Sequence, residues 1–328
     1  MSEPAKARKL NKLSQLIMAP VADKLAKKRL AIVADGVLQS IPFAALADPN
    51  VKAPSPYQPL IVNHEIVNLP SVTALATQRQ RLSERSVAPK TLAVLADPVF
   101  EATDERLTNK PPVLAPELDL NRLSLQRALK NLNRNGLSRL KGTRKEAEAI
   151  LKLVSPQESI HAYDFDANYN FIINPELKKY RFLLLATHGI VDTKNPELSG
   201  IVLSQVDKQG QPVEKGYLRL GDIFNLDLGA ELVVLSACDT GLGKDVKGEG
   251  LIGLTRGLMY AGSKRALVSL WQIDDIGTSK LMPKFYEAVL KGKSSTTALR
   301  EAQLKLWQGK DWHEPYYWAA FTLQGDWR

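Results

Sequence analysis

Short, nearly continuous apolar runs alternate with amphipathic stretches along this chain. Phe182 to Thr187, Leu232 to Ala237 and Arg265 to Trp271 are rich in leucine and valine and too short for buried helices. Each predicts a strand covered on both faces. Helical spacing predicts helices over 249–261, 278–290 and 295–307. Upstream, Arg29 to Ala34, Leu60 to Val67, Thr91 to Ala96 and Ile160 to Asp164 predict further strands. Helices are expected over 72–82, 123–133 and 144–154, with a short one at 174–180. Gly200 to Ser204 and Tyr217 to Leu220 read as short flanking strands, followed by a helical turn over 221–226. From 97 to 122 the pattern dissolves around Pro111, Pro112 and Pro116, which predicts a long surface loop. Strands alternating with helices imply an α/β fold with a largely parallel sheet and helices on both faces.

The totals narrow the class. At 328 residues, 44% hydrophobic and 24% charged, the chain can build a sizeable core. One cysteine excludes an internal disulfide. The N-terminus lacks the apolar core of a secretory signal and no run is long enough to span a membrane, so a cytoplasmic location is expected. The net charge of +9 is spread over short groups such as Lys24 to Arg29 and Arg134 to Lys145, almost without aromatics. That is the signature of a solvated face or of a docking surface for an acidic partner, and it disfavours nucleic acid.

Two predicted strands end in reactive groups. One runs into His188-Gly189, the other into Cys238, with Gly241 and Gly243 close behind. Residues at the carboxyl ends of parallel strands line the crevice where open α/β sheets bind ligands. Neighbouring strands lie about 4.8 Å apart, which would bring imidazole and thiol within reach. A thiolate is the attacking species in acyl transfer and a histidine can take its proton. The backbone N–H groups of Gly189 and Cys238 are candidates for the oxyanion hole. Taken singly, a cysteine on an apolar strand is most often a core filler and a histidine a hydrogen-bonded structural residue. The conjunction of the two, 50 residues apart, is what points to chemistry. His64, His161 and His313 have no comparable partner, and no ligand spacing for zinc exists, so neither metal nor cofactor is expected. Gly241 to Asp245 fails as a phosphate loop, because the lysine is followed by Asp245 rather than Ser or Thr.

Ala186 to Gly189, Leu198 to Ser204, Val234 to Gly243, Gly248 to Leu254, Ser269 to Asp275 and Pro315 to Phe321 resemble the CHAT family of caspase-like, separase-like cysteine peptidases. Ile41 to Leu46 and Leu69 to Ser71 add to the likeness, which covers about residues 14 to 326. The resemblance implies a caspase-like three-layer sandwich. Its degenerate N-terminal half would span 1–142 and its active half 143–328. It implies a cysteine endopeptidase with His188 as base and Cys238 as nucleophile, working through a thioester. It also implies a basic residue before the cleaved bond, held by Asp274 or Asp275, with Trp271 as a pocket wall and Asp239 as a third acidic candidate. Asp275 reads equally well as a helix cap. Expected partners are a protein or peptide substrate and a regulator with TPR-like repeats, in trans or in a longer chain. The chain starts almost at the domain boundary, the mark of an excised domain or of control by another protein. The rival reading is a catalytically silent caspase-like scaffold. Self-cleavage in the basic 133–145 region would tell the two apart.

Overall fold

The computed structural model describes residues 3–26, 28–51, 57–107, 120–239, 249–271 and 275–328. Its strands are β1 (Leu30–Ile32), β2 (Ile66–Asn68), β3 (Lys90–Pro98), β4 (Ser159–Asp164), β5 (Tyr180–Ile190), β6 (Gly200–Val202), β7 (Tyr217–Arg219), β8 (Leu232–Asp239), β9 (Arg265–Ser269) and β10 (Phe321–Gly325). The main path through the sheet is β1-β2-β10-β9-β8-β5-β3-β4, with β6 and β7 folded back onto the end of β5. All pairings along that path are parallel except β10 with β9.

The apolar runs build this sheet because successive side chains point to opposite faces. Leu92, Val94, Phe182, Leu184, Leu232, Val234 and Leu267 join one core. The helices Lys141–Leu151, Asp275–Leu290 and Ser295–Trp307 cover that core, supplying Ile150, Phe285 and Leu299 among others. The intervening Ala93, Leu95, Leu183, Leu185, Val233, Leu235 and Val268 join a second core, under the helices Leu220–Phe224 and Glu249–Tyr260. The result is the three-layer α/β sandwich expected from the sequence. Caps fix helix starts at Ser71, whose hydroxyl accepts from the Ala74 amide, and at Ser294, which accepts from Thr297.

Several expectations change. Leu60 to Val67 is not one strand. Leu60–Val62 forms a 3-10 turn whose Leu60 and Ile61 plug two different cores, and only Ile66–Asn68 pairs. Glu3–Ile17 is a helix that no reading anticipated. Its Leu10, Leu13 and Ile17 pack on a small cluster of Met18, Leu25, Phe43 and Leu46. Strand β10 was also unforeseen. Of the 97–122 loop, 108–119 lies outside the described residues and Leu120–Asn131 is a helix. Chain segments from both sides of residue 142 share one sheet: β3 sits between β5 and β4, and β2 beside β10. Among the described residues no helix is long and apolar enough to cross a membrane.

Candidate active site

The two strands singled out by their reactive ends, β5 and β8, are hydrogen-bonded parallel neighbours at the centre of the sheet. Their register is not uniform. Leu185 pairs with Leu235, but His188 pairs with Ala237 and Gly189 with Cys238. Between those points β5 advances one residue more than β8, a bulge immediately before the histidine. Such a bulge breaks strict alternation and re-aims the residues that follow. His188 and Cys238 therefore occupy adjacent rungs of one ladder, offset by a single position.

The ladder also runs further than the sequence suggests. β5 extends through Ile190 because β6 folds back antiparallel on it, pairing Gly189 with Ile201 and Ile190 with Gly200. Gly200 has to be a glycine: a Cβ there would lie 2.5 Å from the Leu218 carbonyl oxygen and 2.8 Å from the Tyr217 ring. Gly189 is thus flanked on both sides by backbone.

The imidazole of His188 is 1% exposed. Its Nε2 lies 2.8 Å from the carbonyl oxygen of Ser138, and the Phe100 ring is tilted against it at 5.1 Å between centroids. A carbonyl oxygen can only accept, so Nε2 carries the proton and Nδ1 the lone pair in the neutral ring. A cavity of about 510 Å³ is lined by Phe100 and Ser138, both in contact with the ring, and by Glu101, Asp104 and Arg139.

Of the other predicted residues, the backbone of Cys238 and Asp239 lies in β8, with Asp239 paired to Ile190, but their side chains lie outside the described residues. Asp275 opens the helix Asp275–Leu290; its side chain, and Asp274 altogether, also lie outside. Trp271 follows β9 at the same rim, stacked on Tyr316 at 6.5 Å with its indole N–H donated to the Tyr316 carbonyl at 3.1 Å.

Sequence reasoning missed the support around the histidine. Asp97, at the end of β3, is 1% exposed and takes a two-pronged hydrogen bond from Arg139, 2.9 Å from Nε and 2.7 Å from Nη2. Arg106 donates to the Asp97 carbonyl, to Asp104 and to Asp164. The Arg106 hydrogen bond holds the Asp104 carboxyl below its ordinary value. Burial pushes Asp164 upward, but hydrogen bonds from Arg106 and Arg144 outweigh it and keep that carboxyl low as well. The Asp97-Pro98 step at the end of an apolar strand was the only sequence signal for this cluster.

The CHAT domain model matches residues 7–326, and the chain belongs to that family. Among curated proteins, Tetratricopeptide repeat protein 28 of Mus musculus and of Homo sapiens are each 33% identical over 114 residues, covering 35% of this chain. The match spans only 5% of the length of those relatives. Among solved structures, separase in the Saccharomyces cerevisiae separase-securin complex aligns over 87% of this chain and 15% of its own, with 13% identity and a TM-score of 0.46. The Arg specific cysteine proteinase gingipain R aligns over 99% of this chain and 68% of its own, with 12% identity and a TM-score of 0.49.

Proposed function

We propose that the chain is a cysteine endopeptidase in which Cys238 is the nucleophile and His188 the base. The observation that carries this reading is that β5 and β8 are neighbouring parallel strands whose carboxyl ends bring His188 and the backbone of Cys238 to one rim of the sheet. The hydrogen bond from Nε2 to Ser138 supports it, since it leaves Nδ1 as the ring atom able to accept the thiol proton. In the proposed cycle Nδ1 takes that proton and the thiolate attacks the scissile carbonyl carbon. The amides of Gly189 and Cys238 receive the developing oxyanion. Nδ1 then returns the proton to the leaving amine and a thioester remains. Water, giving a proton to Nδ1, attacks the thioester, and the thiol recovers its proton as the acid product leaves.

A carboxylate of Asp274, Asp275 or Asp239 would hold a basic side chain before the cleaved bond, with Trp271 as the wall. The site would draw on both 1–142 and 143–328, in a cytoplasmic protein controlled by a partner. Burial of His188 favours that control, and it is also the one observation that suits a silent docking module. The test is cleavage of a peptide library by the full chain, with and without candidate activators, beside thiol-directed labelling. Cys238→Ala is expected to lower turnover by about a millionfold while leaving the fold intact. Absence of cleavage together with an unreactive Cys238 would remove the peptidase reading and leave the docking module.

A further inference from the structure

We propose that Asp97 and Arg139 are positioning residues for the imidazole of His188, acting through the backbone carbonyl of Ser138. The inference rests on the peptidase reading for its consequence in turnover, but not for its geometry. The Ser138 carbonyl and the Arg139 amide belong to one rigid peptide plane, so tethering Arg139 restricts how far the Ser138 oxygen can turn. Arg139 is fixed by its fork on Asp97, with both carboxylate oxygens engaged at 2.9 and 2.7 Å. Asp97 is held in turn. Its backbone oxygen accepts from Arg106 at 2.7 Å, and the same guanidinium reaches Asp164 at the end of β4 at 2.7 Å. Asp97 adopts φ +51, a left-handed turn at the point where β3 ends.

That anchor is the right one for the histidine. β3 pairs directly with β5, with Ala96 opposite Ala186, two residues before His188. The imidazole and the oxygen that orients it are therefore both referenced to the end of one strand. A loop merely stapled to the surface would not need a buried carboxylate. Here the carboxylate converts the position of β3 into the direction of one carbonyl. That acceptor favours the Nε2–H form of the neutral ring, and turning it away weakens the preference for that tautomer.

The test uses the full chain. Arg139 is a quarter exposed, so Arg139→Met is the variant that keeps the fold, with Arg139→Lys as the conservative partner and Asp97→Asn as the deeper change. Nitrogen-15 resonances of the four histidines report the tautomer, and His188 is identified by the signal lost in His188→Asn. The parent is expected to hold the Nε2–H form. Arg139→Met is expected to mix the tautomers and to lower kcat by about tenfold to a hundredfold with KM nearly unchanged. Arg139→Lys should recover part of both. A folded Arg139→Met with the parent's tautomer and kcat overturns the inference. If the parent cleaves nothing and Cys238 is unreactive, but the tautomer still shifts in Arg139→Met, the positioning role stands and the peptidase reading fails.

Discussion

The two rims of the sheet bury the partners of their arginines to different depths. At the carboxyl rim, Arg106, Arg139 and Arg144 meet the carboxylates of Asp97, Asp104 and Asp164. At the amino rim, Arg85 donates to the carbonyl oxygens of Leu228, Gly262 and Ala230 and Arg81 to that of Tyr260, while Arg181 forks onto Glu231 and Arg79 reaches Asp326. Carbonyls satisfy donors without cancelling charge. A carboxylate takes two parallel N–H groups and fixes a plane. At the rim that carries His188 and the Cys238 backbone the forked carboxylate, Asp97, is fully buried, whereas Glu231 and Asp326 at the other rim keep side-chain exposures of 18% and 15%.

The comparison breaks most visibly at Asp97. Asp97→Ala leaves Arg139 and Arg106 facing a hole, and should cost about 3–5 kcal/mol in denaturant unfolding. Arg85→Met, at the opposite rim, frees three carbonyls that neighbouring water can partly satisfy. Its expected cost is smaller, about 1–3 kcal/mol by the same measurement. Acid should weaken both rims, because Asp326 at the amino rim, though burial pushes it up, is held low by Arg79 just as two carboxyls are at the other. Asp104 and Asp164 are held low in the folded state, so their stabilisation is present at neutral pH and disappears as pH falls through their folded values. Hydrogen exchange followed from neutral pH down to about pH 3 should show the ends of β3 and β4 loosening as these carboxyls take up protons. Lys141→Ala sharpens the point at the smallest scale. Its pairing with Glu105 links two largely exposed groups, so stability should move by no more than about 0.5 kcal/mol. A larger loss would mean that the number of ion pairs, rather than burial of a carboxylate, sets the rigidity of this rim.

What could be read in advance followed from how much apolar surface each element buries. Strands β3, β5, β8 and β9 are covered on both faces, so their sequences are almost uninterrupted runs, and they were legible to within a few residues. β10 has five residues and ends in Gly325 at φ +104, too little pattern to betray a strand. Leu60 to Val67 misled because three apolar residues in a tight turn look like three in a strand. At the site, His188 and Cys238 could be chosen as a pair from their strand ends. The bulge that offsets them by one rung leaves no compositional trace, since any residue can occupy it. Ser138 was invisible for a simpler reason. It contributes a main-chain oxygen, which every residue except its geometry shares.

The position of β3 has a practical corollary. Although His188 and Cys238 are both encoded downstream of residue 142, the oxygen that steers the ring and the strand that braces it are encoded upstream. A truncated gene beginning at 143 would still encode both residues of the proposed dyad and yet strip β5 of the flank it shares with β3. Trimming this molecule from that side would remove the brace of His188 while leaving His188 itself in place.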